Sequence, residues 1–432
     1  MMISRGCLRV ALWCSVTVAL ALVRSEPALP QSLSNAEVMP APSMDLPDYL
    51  VPAVDSSLGT TLVRVTIPDS AMGNGVACKR SYCTHRYSSA QAWNADQSLL
   101  LIVNGCNGWC FLDGQTYAAL FQRQRAGECE WHPQDPEIMI CVAGQRISRW
   151  APRRNTEEVV FQTGAYRGLQ FGPYKGNPSW DGNRIAVRAT SQVGALVAFA
   201  FDLSSRQKFP DIDLAQLPGR NHYCGISPLG SYIFCQQSLI DFTDQAFVFT
   251  IEANLIQSWT EHHRPGHGDM TVDDGGHEVY VGISKSAPDK HQVIKRRLQD
   301  GLVTALAPYG EAQHASVRAI RRHDWVFLSY AGNPLTLTGR SQMAPFAQEA
   351  IALKIDGSGE FRRIAHTLNA RSDYWSETHA SPSPDGSQIV WSSNWGQRGG
   401  PVFDFVSRVD WADWDSREGL MLGERHAGQS SQ

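Results

Sequence analysis

The chain has 432 residues, room for one large all-β domain or for two to three ordinary ones. Its 43% hydrophobic and 19% charged content is that of a chain that buries a core, which excludes a disordered polymer. A formal net charge of −4 gives no electrostatic reason to expect nucleic acid or an anionic membrane as partner.

In chain order, the first element is a leader. Arg5 and Arg9 supply a positive start, Val10 to Val23 an apolar run, and Ser25 a small residue before cleavage, so residues 1–25 read as a signal peptide. The apolar run is short for a membrane span and no later stretch approaches the length needed, so no span is expected once the leader is removed. This places the mature protein in the secreted or periplasmic space. Residues 26–58 are rich in Pro, Ser and Ala without periodicity and read as a linker or a tail draped on the surface. Thr60 to Ile67 follows as a β-branched strand.

From residue 90 a unit recurs: a small or aromatic residue, a turn containing Asp, Gly or Pro, then a short β-rich run. The copies are AWNADQSLLLIV, EWHPQDPEIMICV, PSWDGNRIAVRA, GISPLGSYIFC, MTVDDGGHEVYVGI, VRAIRRHDWVFLSY and SPSPDGSQIVWSS. They stand about 40 to 50 residues apart, with one longer interval of about 64; several short strands at that period are the signature of propeller blades. The fold expected is therefore an all-β, seven-bladed β-propeller over residues 59–412, with the early strand completing the last blade so that no sheet edge is exposed. NPLTLTGRSQMAPF reads as an extended loop in blade six, and 413–432 as a polar C-terminal tail.

Cys7 and Cys14 leave with the leader. The others (Cys78, Cys83, Cys106, Cys110, Cys129, Cys141, Cys224 and Cys235) are even in number and, in an exported chain, suggest disulfides. Cys129 with Cys141 and Cys224 with Cys235 flank turn-rich segments, so each pair fits across two neighbouring antiparallel strands. Cys106 and Cys110 have CxxxC spacing but no partner motif that would complete a zinc site.

Just before the successive turns stand Gln91, Glu130, Asn177, His222, His267, His314 and His379. On radially arranged blades such residues converge around the channel mouth. His267, His314 and His379 come from three consecutive blades, and neutral imidazole is the commonest protein ligand of divalent transition metals. Three imidazoles with an open position make a Lewis-acid site, and Gln91, adjoining His379 around the closed ring, is the expected fourth ligand. The cofactor expected is a divalent ion: Mn, Zn or Ca. Arg188 is expected to end the inner strand of blade three, Arg264 precedes His267 and Arg318 lies four residues after His314; arginines so placed suit a carboxylate-bearing substrate. Asn177, Trp131 and Trp395 are further candidates for contact with substrate. Trp180 and Trp375 also fall near channel ends of strands; such tryptophans stack on sugars or pack between blades.

SPSPDGSQIVWSSNWG resembles the blade repeat of TolB-like propellers. EWHPQDPEIMICV together with THASPSPDGSQIVW resembles the oligogalacturonate lyases, and more loosely the propeller-type ulvan lyases. Most of residues 85 to 400 share the blade pattern; only those two segments are specific. The resemblance implies a seven-bladed propeller that holds a divalent metal on histidines and a glutamine, with a histidine base and an arginine assisting β-elimination. The chain departs from the lyases in two respects: they show a histidine pair near the last-blade metal motif where here only His379 stands, and their charged, helix-bearing insertions are not evident.

Two functions follow. The first is a metal-assisted polysaccharide lyase acting on acidic, uronate-containing glycans, with His267, His314, His379 and Gln91 as ligands, His222 as base, and Arg188 and Arg318 as carboxylate clamps. The second is a non-catalytic envelope propeller that binds a glycan or a protein on its channel face, since propellers host many unrelated functions. The sequence does not fix the oligomeric state.

Overall fold

A computed structural model describes residues 38–411 except 172–176, 240–243, 262–265, 285–288, 290–291, 308–311, 331–344 and 371. The leader, the C-terminal tail, Arg264 and most of the blade-six loop lie outside the described residues. No described helix is long and apolar enough to cross a membrane.

Seven antiparallel sheets follow one another around a ring, most of them running from the innermost to the outermost strand in sequence order. Blade 4 shows the pattern in full: Arg220–Ile226, Tyr232–Ser238, Asp244–Thr250 and Leu255–Glu261. Blades 5 and 6 open with the inner strands Gly266–Val272 and Ala312–Ser316. Blade 1 keeps three strands, from Leu99–Ile102 outward, and its inner strand is reduced to the bridges Thr84↔Asn104 and Trp93↔Leu100. Blade 7 begins with the short strand Ser381–Pro382 and ends with Val402–Arg408, onto which Thr60–Arg64 adds with Val63 opposite Val406. The first and last described strands thus share one sheet, and the early strand closes the ring as expected. The segment read as a linker or draped tail ends in a strand of its own, Pro52–Asp55, which pairs with residues 60–63 as a further layer.

The recurring β-rich runs are the second strands of the blades. Trp325–Tyr330, Glu278–Ile283 and Gln388–Ser393 are buried at every position, because both faces of a middle strand meet a neighbouring blade. The hydrophobic core is accordingly divided: each of the seven seams between adjacent blades has its own apolar cluster. The turn before each second strand is built locally. In SPSPDGS, Asp385 accepts from the backbone N–H of Ser387, Ser383 Oγ donates to Asp385, and Gly386 takes φ +73°, a conformation that glycine reaches without strain. Residues 179–184 repeat this arrangement, with Gly182 at φ +75°.

Four disulfides are formed: Cys78–Cys83, Cys106–Cys110, Cys129–Cys141 and Cys224–Cys235. The last two join residues directly opposite each other on the first and second strands of blades 2 and 4.

Candidate metal centre at the channel mouth

Four consecutive blades bring polar and aromatic side chains to one mouth of the channel. His267 comes from the inner strand of blade 5 and His314 from that of blade 6. His379 stands two residues before the short inner strand of blade 7, and Tyr87 lies on the broken inner edge of blade 1. The His267 and His314 rings are 4.4 Å apart, as are those of His314 and His379. Tyr87 packs 5.4 Å from His314 and 4.9 Å from His379, and its hydroxyl lies 2.6 Å from His267 Nδ1.

A carboxylate enters the same cluster. Glu377 Oε2 lies 3.4 Å from Nε2 of both His314 and His379. Potential ligand atoms of these three buried residues lie within 4.8 Å of one another. Both ring nitrogens of His314, and Nε2 of His379, are buried without a close hydrogen bond, and the polar group facing the two Nε2 atoms is Glu377 at 3.4 Å. Buried polar atoms are normally satisfied, and an ion is one explanation when they are not. Two imidazoles and one carboxylate form a donor set suited to a first-row divalent ion.

The electrostatics agree. Burial, and then the neighbouring His379 and His267, hold the His314 imidazole well below its ordinary value; Glu377 only partly offsets this. Burial also lowers His379. Burial opposes ionisation of Glu377, but its contacts with His314 and His379 outweigh it and hold the carboxyl below the usual range. Two neutral imidazoles and an ionised carboxylate are the forms that bind a metal.

His267 and His379 both have left-handed backbone, at φ +62° and +46°, which is uncommon outside glycine and concentrates at functional sites. His379 is held there from outside the cluster. The buried His85 places Nδ1 3.0 Å from the Asp404 carboxylate and Nε2 2.7 Å from the carbonyl of His379. Both partners are acceptors, so both nitrogens donate and the ring is an imidazolium. Burial works against that charge, and Asp404 outweighs it, raising the His85 pKa.

The other sequence candidates occupy different places. Gln91 uses both ends of its amide on the backbone: Oε1 accepts from Trp93 N–H and Nε2 donates to the carbonyl of Arg318. Arg318 is buried and forms a two-pronged pair with Asp269, at 2.7 and 2.9 Å, so its charge is already matched within the fold. Arg188 lies on the second strand of blade 3 rather than at the end of an inner strand, and donates to Asn221 Oδ1. Asn177 donates to the carbonyl of Ser89 and, with Trp131, Trp180, Gln91 and Arg318, lines a channel cavity of about 30 Å³, room for a water or two. Trp395 stacks on Phe405 and donates to the carbonyl of Met44, which makes it a packing residue. His222 lies on the inner strand of blade 4, and its side chain is outside the described residues, as is Arg264.

Sequence reasoning missed Glu377 and Tyr87. Glu377 stands two residues before His379, the spacing that puts two side chains on one face of an extended segment, so the ETH triplet carried a signal. Tyr87 had none, because blade 1 lacks a regular inner strand.

No family model matches the chain, and no curated protein matches it by sequence. Solved structures do. An oligogalacturonate lyase in complex with manganese is similar over 84% of this chain and 97% of its own, with a TM-score of 0.58 and 16% identity. An oligogalacturonate lyase from Vibrio parahaemolyticus is similar over 83% and 96%, with a TM-score of 0.53 and 10% identity. At such identities the likeness speaks for architecture, and what it establishes is that this chain has the seven-bladed propeller fold seen in oligogalacturonate lyases.

Proposed function

We propose that the protein is an exported, metal-dependent lyase that cleaves uronate-containing oligosaccharides by β-elimination. The observation that carries this reading is the buried cluster of His314, Glu377 and His379, on a fold shared with a lyase whose structure contains manganese. The leader and the four disulfides support export.

His314, His379 and Glu377 would hold the divalent ion, with His267 beside them. When bound, such an ion neutralises the sugar carboxylate and the charge that develops as the neighbouring C–H bond breaks. His267 is placed to take that proton. Its Nδ1 lies 2.6 Å from the Tyr87 hydroxyl, a contact that orients the ring, and the tautomer that donates Nδ1–H to the Tyr87 oxygen is the one in which Nε2 would act as the base. The electrons of the C–H bond then form the ring double bond as the C–O bond to the glycosidic oxygen breaks, and that oxygen takes a proton from solvent water while the base later returns its own proton to solvent. His222, one blade earlier, is the second candidate base. Arg188 is the arginine proposed to meet the substrate carboxylate, since the Arg318 guanidinium is engaged by Asp269.

A second reading, a non-catalytic propeller that binds a glycan or protein on the same face, draws on one observation. The lyases that the sequence resembles carry a histidine pair near the last-blade motif, whereas here His379 is joined by a carboxylate, Glu377. Incubation with pectin, ulvan or alginate fragments and added Mn, Zn or Ca separates the two. The lyase reading expects unsaturated uronate products from wild type, and a loss of 100-fold or more in His267→Ala. Absence of unsaturated product from all three substrates contradicts the lyase reading.

A further inference from the structure

Beside the metal-binding cluster an aromatic row runs outward from His379. The Tyr374 ring lies 4.9 Å from His379, Trp375 lies 5.2 Å from Tyr374 at 83°, and Tyr82 stacks on Trp375 at 4.2 Å and 4°. All three aromatics are half-buried. Aromatic pairs prefer edge-to-face or offset-stacked arrangements; these two rings are stacked on each other as a slab, each with an outer face, at the edge of a polar site.

Both halves of the slab are anchored. The segment from Asn369 to His379 is cross-linked by Ser376, whose Oγ accepts from the backbone N–H groups of Ser372 and Asp373 and whose own N–H donates to Asp373. Asn394 fastens the same segment at Ala370, accepting from its N–H and donating to its carbonyl. The segment therefore supplies Glu377 and His379 to the metal cluster and Trp375 to the slab as one rigid piece. Tyr82 is fixed by the blade-7 sheet. Its strand pairs in parallel with Val402–Phe403, and the next residue is tied by Cys78–Cys83. Gly105, at φ +76°, lies so close that an added Cβ would stand 1.8 Å from the Tyr82 carbonyl oxygen. Cys106–Cys110 closes the adjoining loop, which pairs Cys106 with Cys78. The two short disulfides, which no strand register demands, thus serve the wall of the site.

We infer that the Tyr82–Trp375 slab is a stacking subsite for a second sugar ring of a uronate oligosaccharide whose first ring presents its carboxylate to the His314–Glu377–His379 cluster. The inference rests on the function proposed above and adds a chain-length requirement to it. A pyranose ring has an apolar C–H face and a polar rim, which matches a flat aromatic surface continuous with a polar cluster. A pre-formed wall accepts that ring with little ordering cost. A monosaccharide reaches the metal-binding cluster alone and gains nothing from the slab.

The test is calorimetric titration of manganese-loaded protein with galacturonate and with its di- and trisaccharides, in a His267→Ala background that keeps the sugars intact. Trp375→Ala is expected to weaken di- and trisaccharide binding about tenfold and to leave the monosaccharide and the manganese content unchanged; Trp375→Phe is expected to restore most of the loss. Equal loss for monosaccharide and oligosaccharides, no loss for any of them, or no oligosaccharide binding by the parent protein overturns the subsite. Failure of the lyase reading is separate: chain-length-dependent loss in the binding series, without unsaturated product from wild type, removes the reaction and keeps the subsite.

Discussion

At the scale of single residues, the site depends on two histidines in unfavourable backbone geometry. His379 at φ +46° is not held by its own side chain. It is held by the imidazolium of His85, which spans Asp404 and the His379 carbonyl. Partners behind a ligand orient it, and their loss typically costs 10- to 100-fold in metal affinity. His85→Ala is therefore expected to weaken manganese binding by that factor and, because it strands the buried Asp404 charge, to cost ~3–5 kcal/mol in stability. Denaturant titration and equilibrium dialysis measure the two effects. Unchanged metal affinity in a folded variant would contradict the positioning role. The histidines themselves were legible in the sequence because the repeat returns each to the same point of its blade. The partners of the other candidates were not. The Arg318–Asp269 pair joins residues from neighbouring blades, and no local spacing announces it; nor does any spacing announce that Gln91 donates to the carbonyl of Arg318, 227 residues away.

At the scale of elements, the strands of blade 6 meet the N-terminal strand through a buried charged network. Asp55 accepts from the backbone N–H of His366 and lies 2.8 Å from its Nδ1, while Arg363 donates to Glu349. Burial pushes the Glu349 carboxyl up to about 6, with Arg363 and His366 only partly offsetting it. Since this value lies above the 4.5 of an unperturbed glutamate, the folded protein holds the proton more tightly than the unfolded chain. The contribution of this group to stability therefore falls as pH rises from 4.5 to 6, and stays lower above that. The difference corresponds to ~2 kcal/mol. Glu349→Gln is expected to gain about that much relative to wild type between pH 4.5 and 6.5, read from urea midpoints. Parallel stability curves for the two proteins would contradict the assignment. Nothing in the Pro- and Ser-rich composition of residues 26–58 foretold that Asp55 would end in this network. Composition reports the absence of periodicity, and a four-residue strand is too short to show any.

At the scale of the whole molecule, ring closure makes the site. The expected seven blades were legible because each one repeats a turn whose Asp and Gly roles are local, and the closing strand because an orphan β-branched segment preceded the first repeat. The local reading of Cys129–Cys141 and Cys224–Cys235 succeeded for the same reason, since each pair sits directly opposite in register. Departures from the repeat supply Tyr87 and Glu377: the broken inner edge of blade 1 carries no local pattern, whereas the ETH triplet before blade 7 spaces Glu377 and His379 for one face of an extended segment. Radial packing then brings His267, His314, Glu377, His379 and Tyr87 from four consecutive blades to one mouth. The most direct test of this convergence is the number of manganese ions retained per chain after dialysis, in wild type and in His314→Ala. The account predicts one ion in wild type and none in the variant, with the fold intact in both; retention of the same metal content by the two proteins, or none by either, would contradict it.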